Sequence, residues 1–448
     1  MKIYPDTKIY IICPGKQHSG GPELCHQLCS QLISLGVDSK LIYIYTPASF
    51  KSDPVHDFYK KYHLPYAFNF EDEPKNILIM PEIFTGYFYA VDKIQCVIWW
   101  LSVDNYLKSI QEIFQYFYQN SLAAPLTKIF SFHKADNEID HFAQSEYARQ
   151  FVKLNGVPDE KIHMVEDYLR QDFLSRAAQV DLSMKKNIVA FNPKKGFEVT
   201  QQLIELAPDI DWRPIENMTP AQVQKLLAAA KIYIDFGNHP GRDRIPREAA
   251  ISGCVVITGR RGAAANDIDI NIPAEFKFDE KTTEPQGVIK KIREVFENFP
   301  AAYEKQAAYR ARIFEDKNRF TEEIILAFEI KNLPPPSVAM IQGVGEKSFL
   351  LAKELFRNKN FRPSFIVDDV MASTKISDKL IFREQNRNYL RVGQNFIEII
   401  TREDAKFLYL EGRIKKFALI DPSDAEIYDL QRFYEPKAED VLIYELDG

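Results

Sequence analysis

The sequence predicts an α/β protein with two successive parallel-sheet domains and a smaller third α/β domain. Short runs that are apolar at nearly every position alternate with longer stretches of helical period. This pattern is typical of strands that are buried on both faces and covered by helices. The 448 residues exceed what one hydrophobic core usually organises. Three consecutive prolines at 334–336 form a stiff spacer before the last unit.

The first domain is predicted over residues 1–175. Its strands are predicted at 8–13, 40–45, 76–81 and 96–101. A helix is predicted at 22–36, because leucines recur along one of its faces and Gly36 is placed to end it.

The second domain is predicted over residues 176–332. Strands are predicted at 187–192, 232–237 and 254–259, and helices at 220–230 and 246–253. Pro246 suits the first turn of the last of these helices. Because strands and helices alternate again, a second parallel sheet is expected.

The third domain is predicted over residues 337–448. Two glycines and a serine follow its first predicted strand, and two aspartates end the next strand: Gly343, Gly345, Ser348, Asp368 and Asp369. The arrangement resembles the Rossmann-like domains found with sugar-modifying enzymes, with the serine in place of a third glycine. One mismatched fingerprint is weak evidence, so a structural or partner-binding module is favoured over an occupied nucleotide site.

The composition excludes some classes of partner. The net charge is −6, which argues against general attraction to nucleic acid or to an anionic bilayer, although a local basic cluster could bind a small polyanion. We find no transmembrane segment and no signal peptide, so we expect a cytoplasmic protein, with peripheral attachment to the inner face of a membrane as the alternative. The five cysteines lie in apolar runs without zinc spacing, which predicts reduced thiols in the core.

Ligands of open parallel sheets bind beyond the carboxyl ends of the strands, and three loops of that kind carry candidate residues. In the loop at 13–23, Gly20 and Gly21 precede Pro22. Glycines at a helix start leave backbone N–H groups open to a phosphate or a sugar. The alternative is a tight turn without a ligand.

The other two loops supply charge. Lys194 and Lys195, in the loop at 191–198, could neutralise a diphosphate. In the stretch 235–259, Arg242 and Arg244 could complement phosphates, and the Glu248 carboxylate could accept two hydrogen bonds from a ribose diol. The alternative for Glu248 is a favourable interaction with the helix dipole, worth about 0.3–1 kcal/mol.

Together these loops resemble the retaining nucleotide-sugar-dependent glycosyltransferases of the GT-B fold, the glycosyl transferases group 1 family. The resemblance covers most of residues 8–330, and the segments that carry it are 19–36, 144–173, 192–197 and 246–259. It implies two Rossmann-like domains that face a cleft, with a helix at 307–331 returning to the first domain. It further implies a nucleotide-diphosphate sugar as substrate, with no cofactor and no metal.

The resemblance also implies roles for single residues. Lys195 would contact donor phosphate, Glu248 would contact the nucleotide ribose, and Gly20 and Gly21 would lie under the transferred sugar or the phosphates. With Lys195, Arg242 is the candidate for stabilising the leaving group.

The sequence departs from the family in two respects. Pro240 stands where the family commonly has a second glutamate, and Asp235, His239 and Asp243 remain open as substitutes. The arginine usual before the lysine-glycine loop is also absent, because Phe191 and Asn192 lie there; Arg242 or Arg244 is expected to supply that charge.

The acceptor side is expected near the strand at 96–101. Asp104 follows it and could orient or deprotonate the acceptor, or it could cap the next helix. Trp99 and Trp100 offer flat faces for a sugar, although one of them is expected to pack in the core. His133 is a lesser candidate.

These features predict a glycosyltransferase that moves a sugar from a nucleotide-diphosphate sugar to an acceptor hydroxyl. The resemblance implies a saccharide or lipid-linked saccharide acceptor in bacterial surface polysaccharide assembly. The alternatives are a nucleotide-sugar epimerase of related fold and a non-catalytic module that binds a sugar nucleotide or a partner.

Overall fold

The computed structural model describes residues 1–448 apart from 2, 45–52, 121–129, 133–138, 178–179, 280, 332–333, 335–336, 342–345, 358–361, 369–380, 385–386, 420–432 and 435–448. His133, Gly343, Gly345 and Asp369 therefore lie outside the described residues. Within the described part, no helix combines the length and the apolar character needed to cross a membrane.

The first domain contains a six-stranded parallel sheet. Its strands are β1 (Lys8–Pro14), β2 (Asp38–Ile44), β3 (Ile77–Pro81), β4 (Gln95–Trp100), β5 (Asp140–Ala143) and β6 (Ile162–Met164). They lie in the order β2-β1-β3-β4-β5-β6. The helices are α1 (Gly20–Ser34), α2 (Asp57–Lys60), α3 (Val103–Gln119), α4 (Glu146–Leu154) and α5 (Gln171–Ala177), with 3₁₀ helices at Glu82–Ala90 and Asp159–Lys161. The four predicted strands are present, and β6 lies where the family resemblance over 144–173 implies a short strand; β5 was not predicted.

Alternate residues along the strands of this sheet pack into two separate cores. Ile11 and Trp99 belong to the core on one face, and Ile12 and Trp100 belong to the core on the other. Helices cover both faces, which explains why the strands are apolar at nearly every position.

The second domain contains a four-stranded parallel sheet. Its strands are β7 (Lys186–Phe191), β8 (Asp211–Pro214), β9 (Ala230–Asp235) and β10 (Val255–Thr258), in the order β10-β9-β7-β8. The helices are α6 (Phe197–Leu206), α7 (Pro220–Ala229), α8 (Arg244–Ile251), α9 (Pro285–Glu297), α10 (Phe299–Glu304) and α11 (Ala307–Ala327), with 3₁₀ helices at Leu182–Met184, Ala263–Ala265 and Ala274–Phe276. The prediction of two parallel α/β sheets is confirmed.

The third domain contains a mixed sheet. Its elements are β11 (Ser337–Ile341), α12 (Glu346–Arg357), β12 (Arg362–Val367), β13 (Ile381–Glu384), β14 (Arg387–Val392), β15 (Asn395–Ile400), α13 (Arg402–Leu410), β16 (Lys416–Leu419) and β17 (Phe433–Tyr434). The parallel strands lie in the order β15-β12-β11-β16, which is the third-second-first-fourth order of Rossmann sheets. An antiparallel ribbon, β13 and β14, precedes β15.

Helix α11 connects the first two domains. Tyr309 and Ile313, in its first half, belong to the core of the second domain. Phe320 and Ile324, in its second half, belong to a core of the first domain. The helix therefore returns to the first domain, as the resemblance implies.

The third domain shares a core with the first domain. Phe365, Val367 and Ile400 lie in the same buried cluster as the apolar face of α1. The Tyr168 hydroxyl donates a hydrogen bond to Glu411 at 2.6 Å. These contacts fix the third domain to the first through buried surface.

Two arginines with fully buried side chains, Arg242 and Arg247, lie where the first two domains meet. Arg242 pairs with Asp316 at 2.9 Å and also with Glu166. Arg247 pairs with Asp167 at 2.6 Å. Glu166 and Asp167 follow β6, and Asp316 lies in α11. Arg242 lies in the loop before α8, and Arg247 lies in its first turn. We call these five residues the junction cluster, and it ties three segments together at one point.

Asp316→Asn tests the junction cluster. The variant leaves two buried guanidinium groups with one carboxylate fewer, and breaking a buried ion pair costs about 3–5 kcal/mol. We therefore expect the free energy of unfolding, measured by urea denaturation, to fall by about that amount. Glu315→Gln is the control, because Glu315 is the exposed neighbour on the same helix and its replacement should change stability by less than about 0.5 kcal/mol. Equal stability of the two variants would contradict the role of the cluster.

Candidate active site

A cleft lies between the first two domains at the carboxyl ends of their strands. It consists of two cavities of about 370 and 420 Å³. Both cavities are lined by Ser19 and Gly20 from the first domain and by Arg244 from the second. The cleft therefore lies where ligands of open parallel sheets bind.

Gly20 and Gly21 form the start of α1, facing the cleft. The residue before them, Ser19, has an extended backbone and provides no side-chain cap to the helix. A Cβ added at Gly20 would meet no atom within 4 Å, and one at Gly21 would meet only Leu101, at 3.8 Å. The space above both glycines is open, so the first N–H groups of α1 are accessible to an anion.

Arg244 is the cation at the centre of the cleft. It is the first residue of α8, and its buried Nε has no hydrogen-bond partner. No ion pair or hydrogen bond joins its guanidinium group to the described residues. Burial alone would lower the pKa of Arg244, but Glu23, Glu248 and Asp167 raise it. The group stays charged and available to a ligand.

Glu248 lines the larger of the two cavities together with Arg244. It lies one helical turn after Arg244 in α8, so both side chains are on the same face of the helix. Its carboxylate forms no hydrogen bond or ion pair with the part of the chain that the structure describes. A carboxylate in this position can accept hydrogen bonds from a ligand diol.

The two lysines lie beside the cleft and line neither cavity. Lys195 Nζ pairs with Asp243 at 2.7 Å, and Asp243 is the residue before α8. Lys194 is exposed. Gly196 has a φ of 58°, and a Cβ there would lie 2.3 Å from the backbone of Phe236. That glycine is therefore required by close packing of two loops.

Asp235, His239 and Asp243 form a cluster under the start of α8. One ligand atom from each residue lies within 4.8 Å of the others, a spacing that could hold a metal ion. Burial would lower the pKa of His239, but Asp243 and Asp235 raise it. The Lys195 ammonium group already supplies positive charge to Asp243, so the set fits a network of ion pairs better than a cation site.

Arg242 has a different environment from the one expected for a phosphate ligand. Its guanidinium group is fully buried and bonded to Glu166 and Asp316, so it presents no free charge to the cleft. Its backbone N–H donates to Gln144 of the first domain at 2.9 Å. The neighbouring Gly241 permits this approach, because a Cβ there would lie 2.5 Å from the Gln144 side chain.

Asp104 lies at the rim of the cleft. It accepts hydrogen bonds from Asn238 of the second domain and from Tyr147, the latter at 3.2 Å. The cap of α3 is Ser102, so the capping alternative for Asp104 is wrong.

The expectation that one tryptophan offers a face to a sugar is also wrong. Trp99 and Trp100 are both completely buried, and their indole N–H groups donate to the Val165 carbonyl and to His141.

Glu82 is a candidate that the sequence interpretation missed. It follows β3 and lines the smaller cavity, although only 3% of its surface is exposed. The Leu101 N–H donates to one of its oxygens at 2.9 Å. Burial without a cationic partner raises its pKa to about 7. The available signal was a glutamate directly after a fully apolar strand, at the carboxyl edge of the sheet.

No known protein family matches the sequence, and neither does any curated protein. Among solved structures, the chain is similar to Anabaena HepE in complex with UDP-glucose, with 12% identity, a TM-score of 0.47, and coverage of 71% of this chain and 99% of that one. A glycosyltransferase from Rickettsia africae gives 15% identity, a TM-score of 0.49, and coverage of 73% and 99%. Sucrose-phosphate synthase from Thermosynechococcus elongatus gives 10% identity, a TM-score of 0.47, and coverage of 72% and 98%. At these identities the similarity concerns the fold alone.

Proposed function

We propose that the chain is a glycosyltransferase that moves a sugar from a nucleotide-diphosphate sugar to an acceptor hydroxyl. The observation that carries the proposal is the unpaired Arg244 guanidinium, which lies between two helix starts and beside the unpaired Glu248 carboxylate. A nucleoside diphosphate presents both an anion and a ribose diol. The cleft provides a complementary group for each.

The diphosphate is held by Arg244 and by the start of α1 at Gly20 and Gly21. Negative charge builds on the leaving diphosphate in the transition state, so a fixed guanidinium group and a helix N-terminus stabilise that state. Glu248 binds the ribose hydroxyls. A metal is not required for this charge balance, because the protein supplies the cations.

Lys195 and Arg242 act by positioning. Lys195 neutralises Asp243, the residue before α8, and so preserves the positive end of that helix for the donor. Lys194 extends the positive field at the entrance. Arg242 fixes the start of α8 through the junction cluster.

On the acceptor side, Glu82 accepts the proton of the attacking hydroxyl. It lines the smaller cavity together with Arg244, and a general base is most effective when its pKa is near the working pH. Asp104 holds the rim of the cleft closed through Asn238.

The resemblance to the group 1 glycosyltransferases supports three finer proposals. Transfer retains the anomeric configuration, the acceptor is a saccharide or lipid-linked saccharide, and the pathway is bacterial surface polysaccharide assembly. Product analysis by NMR with a series of acceptors tests these points independently of donor binding.

Arg244→Ala and Glu248→Ala test the donor site, with titration calorimetry against UDP, GDP and ADP. Loss of a charge-assisted hydrogen bond costs about 1.5–3 kcal/mol, so Arg244→Ala should raise the Kd of the preferred diphosphate about 10- to 150-fold. Glu248→Ala should abolish the preference for that diphosphate over its 3′-deoxyribose analogue.

Arg293→Ala and Glu294→Ala are the matched controls, because both residues form surface ion pairs on α9. Both controls should bind as the wild type does. Unchanged affinity in Arg244→Ala would exclude the cleft as the diphosphate site.

Glu82→Gln tests the acceptor base. If Glu82 must be ionised to act, kcat/KM of the wild type, which reports ionisations of the free enzyme, rises with pH through about 7. The variant should not show this rise with pH, and its kcat should be about 100-fold or more lower. Its Kd for the diphosphate should stay within twofold. Asp104→Asn should show the same rise of activity with pH as the wild type. A variant of Glu82 with the wild-type pH profile would show that another group takes the proton.

Glu82 also predicts a pH dependence of stability. Its pKa rises from 4.5 to about 7 on folding, so the folded state binds the extra proton and stability is lost as pH rises from about 4.5 to 7. The loss is about 3 kcal/mol. Glu82→Gln should show a flatter urea-denaturation profile over this range. Glu323, whose pKa burial also raises to about 7, contributes equally to both proteins and cancels in the difference. Parallel profiles would show that Glu82 is ionised throughout.

A further inference from the structure

A third cavity, of about 530 Å³, lies between the first and third domains. Its wall combines the turn before β2 and the first residues of that strand, including Asp38, with residues from β12, β14 and β15. It shares only His63 and Arg387 with the adjacent cavity inside the first domain and no residue with the glycosyl-transfer cleft. It is a separate site by position.

Three guanidinium groups line this cavity, those of Arg362, Arg387 and Arg413. Arg387 has one carboxylate nearby, since its Nε lies 3.6 Å from Glu398. That carboxylate is shared, because His63 Nδ1 lies 2.8 Å from the same oxygen. His63 Nε2 also lies 2.9 Å from Asp404, and Asp38, which lines the cavity, pairs with Lys40 at 3.4 Å. Each of these carboxylates is therefore already engaged by a cation.

The other two arginines lack acidic partners within the described part of the chain. Arg413 donates to the backbone carbonyls of Tyr62 and His63. The Arg362 guanidinium group forms no hydrogen bond or ion pair with the described residues. Burial lowers the pKa of Arg413 to about 10; the Glu398 carboxylate opposes this shift, and the charges of Arg387 and Arg362 add to it. The cavity thus holds more positive charge than the protein around it neutralises.

We propose that this cavity binds a small phosphate-bearing molecule. Guanidinium groups match phosphate oxygens with paired N–H donors, and three of them around one space favour an anion of more than one charge. The volume is within the range of small-molecule sites and exceeds the needs of phosphate alone. Tyr389 and Phe396 line the same cavity and offer rings for the remainder of the ligand.

The ligand would join two domains. Arg362 and Arg387 begin strands of the third domain, and Arg413 follows α13, whereas Gly36 and Ser39 belong to the first domain. A bound phosphate compound would therefore reinforce the docking of the third domain. This inference does not depend on the proposed glycosyl transfer.

Pyrophosphate binding to the full chain, measured by titration calorimetry, tests the proposal. The chain carries Arg244→Ala in every sample, so that binding in the cleft between the first two domains contributes least to the measured heat. We expect one pyrophosphate per chain, and we expect Arg362→Gln to raise its Kd at least 10-fold. Arg362 is chosen because it is exposed and has no partner to lose, whereas Arg413 is buried.

Arg391→Gln is the matched control. Arg391 is exposed on β14, and among the described residues its guanidinium group bonds to the Gly393 carbonyl, at 3.2 Å; its loss should leave the affinity unchanged. Absence of binding, wild-type affinity in Arg362→Gln, or an equal loss in Arg391→Gln would each overturn the proposal. If Arg244→Ala itself has no effect on donor binding, the proposed function fails while the comparison of Arg362 with Arg391 still stands.

Discussion

The arrangement of the cleft depends on the buried ion pairs of the junction cluster. Two guanidinium groups without solvent contact require carboxylates in fixed positions, since an unpaired buried charge costs several kcal/mol. Asp316 comes from α11, Asp167 from the segment after β6, and Arg242 from the loop before α8. The relative placement of the two sheets is therefore restricted at one point. The start of α8, which carries the candidate donor residues, is fixed by the same restriction.

This constraint explains why two arginines only two positions apart have opposite environments. Arg242 turns inward to Asp316 and Glu166, and Arg244 begins the helix and faces the cleft. The loop conformation separates them, with Gly241 packed against Gln144. A chain with only one of these arginines would lose either the orientation of the helix or the charge that the cleft offers a ligand.

The sequence predicted the elements whose signal is local. Continuous apolar runs identified β1, β3, β4, β7, β9 and β10 because burial on both faces removes polar residues from a strand. Glycines before a helix and a carboxylate in its first turns identified the loops of the cleft, because these signals also lie within a few residues of each other. Short or partly exposed strands such as β6 and β8 lack a continuous apolar run, so this signal does not identify them.

Pairing between distant segments has no local signal. Arg242 and Arg244 look alike in sequence, and only the positions of Glu166 and Asp316, 76 and 74 residues away, decide which one is neutralised. Glu82 resembles any polar residue after a strand until its burial is known. The docking of the third domain was likewise hidden, because apolar residues that face another domain are indistinguishable in sequence from residues of their own core.

Two groups without a partner of opposite charge line the cleft between the first two domains. The junction cluster shows that the chain can satisfy buried charge where stability requires it. Arg244 and Glu82 differ, since the first has a buried Nε without a partner and the second is a carboxyl group without a cation. Burying an ionisable group without a partner of opposite charge destabilises the folded state. A ligand that carries phosphate near Arg244 and a hydroxyl near Glu82 would remove both costs, so the same contacts that weaken the free protein would become binding energy in the complex.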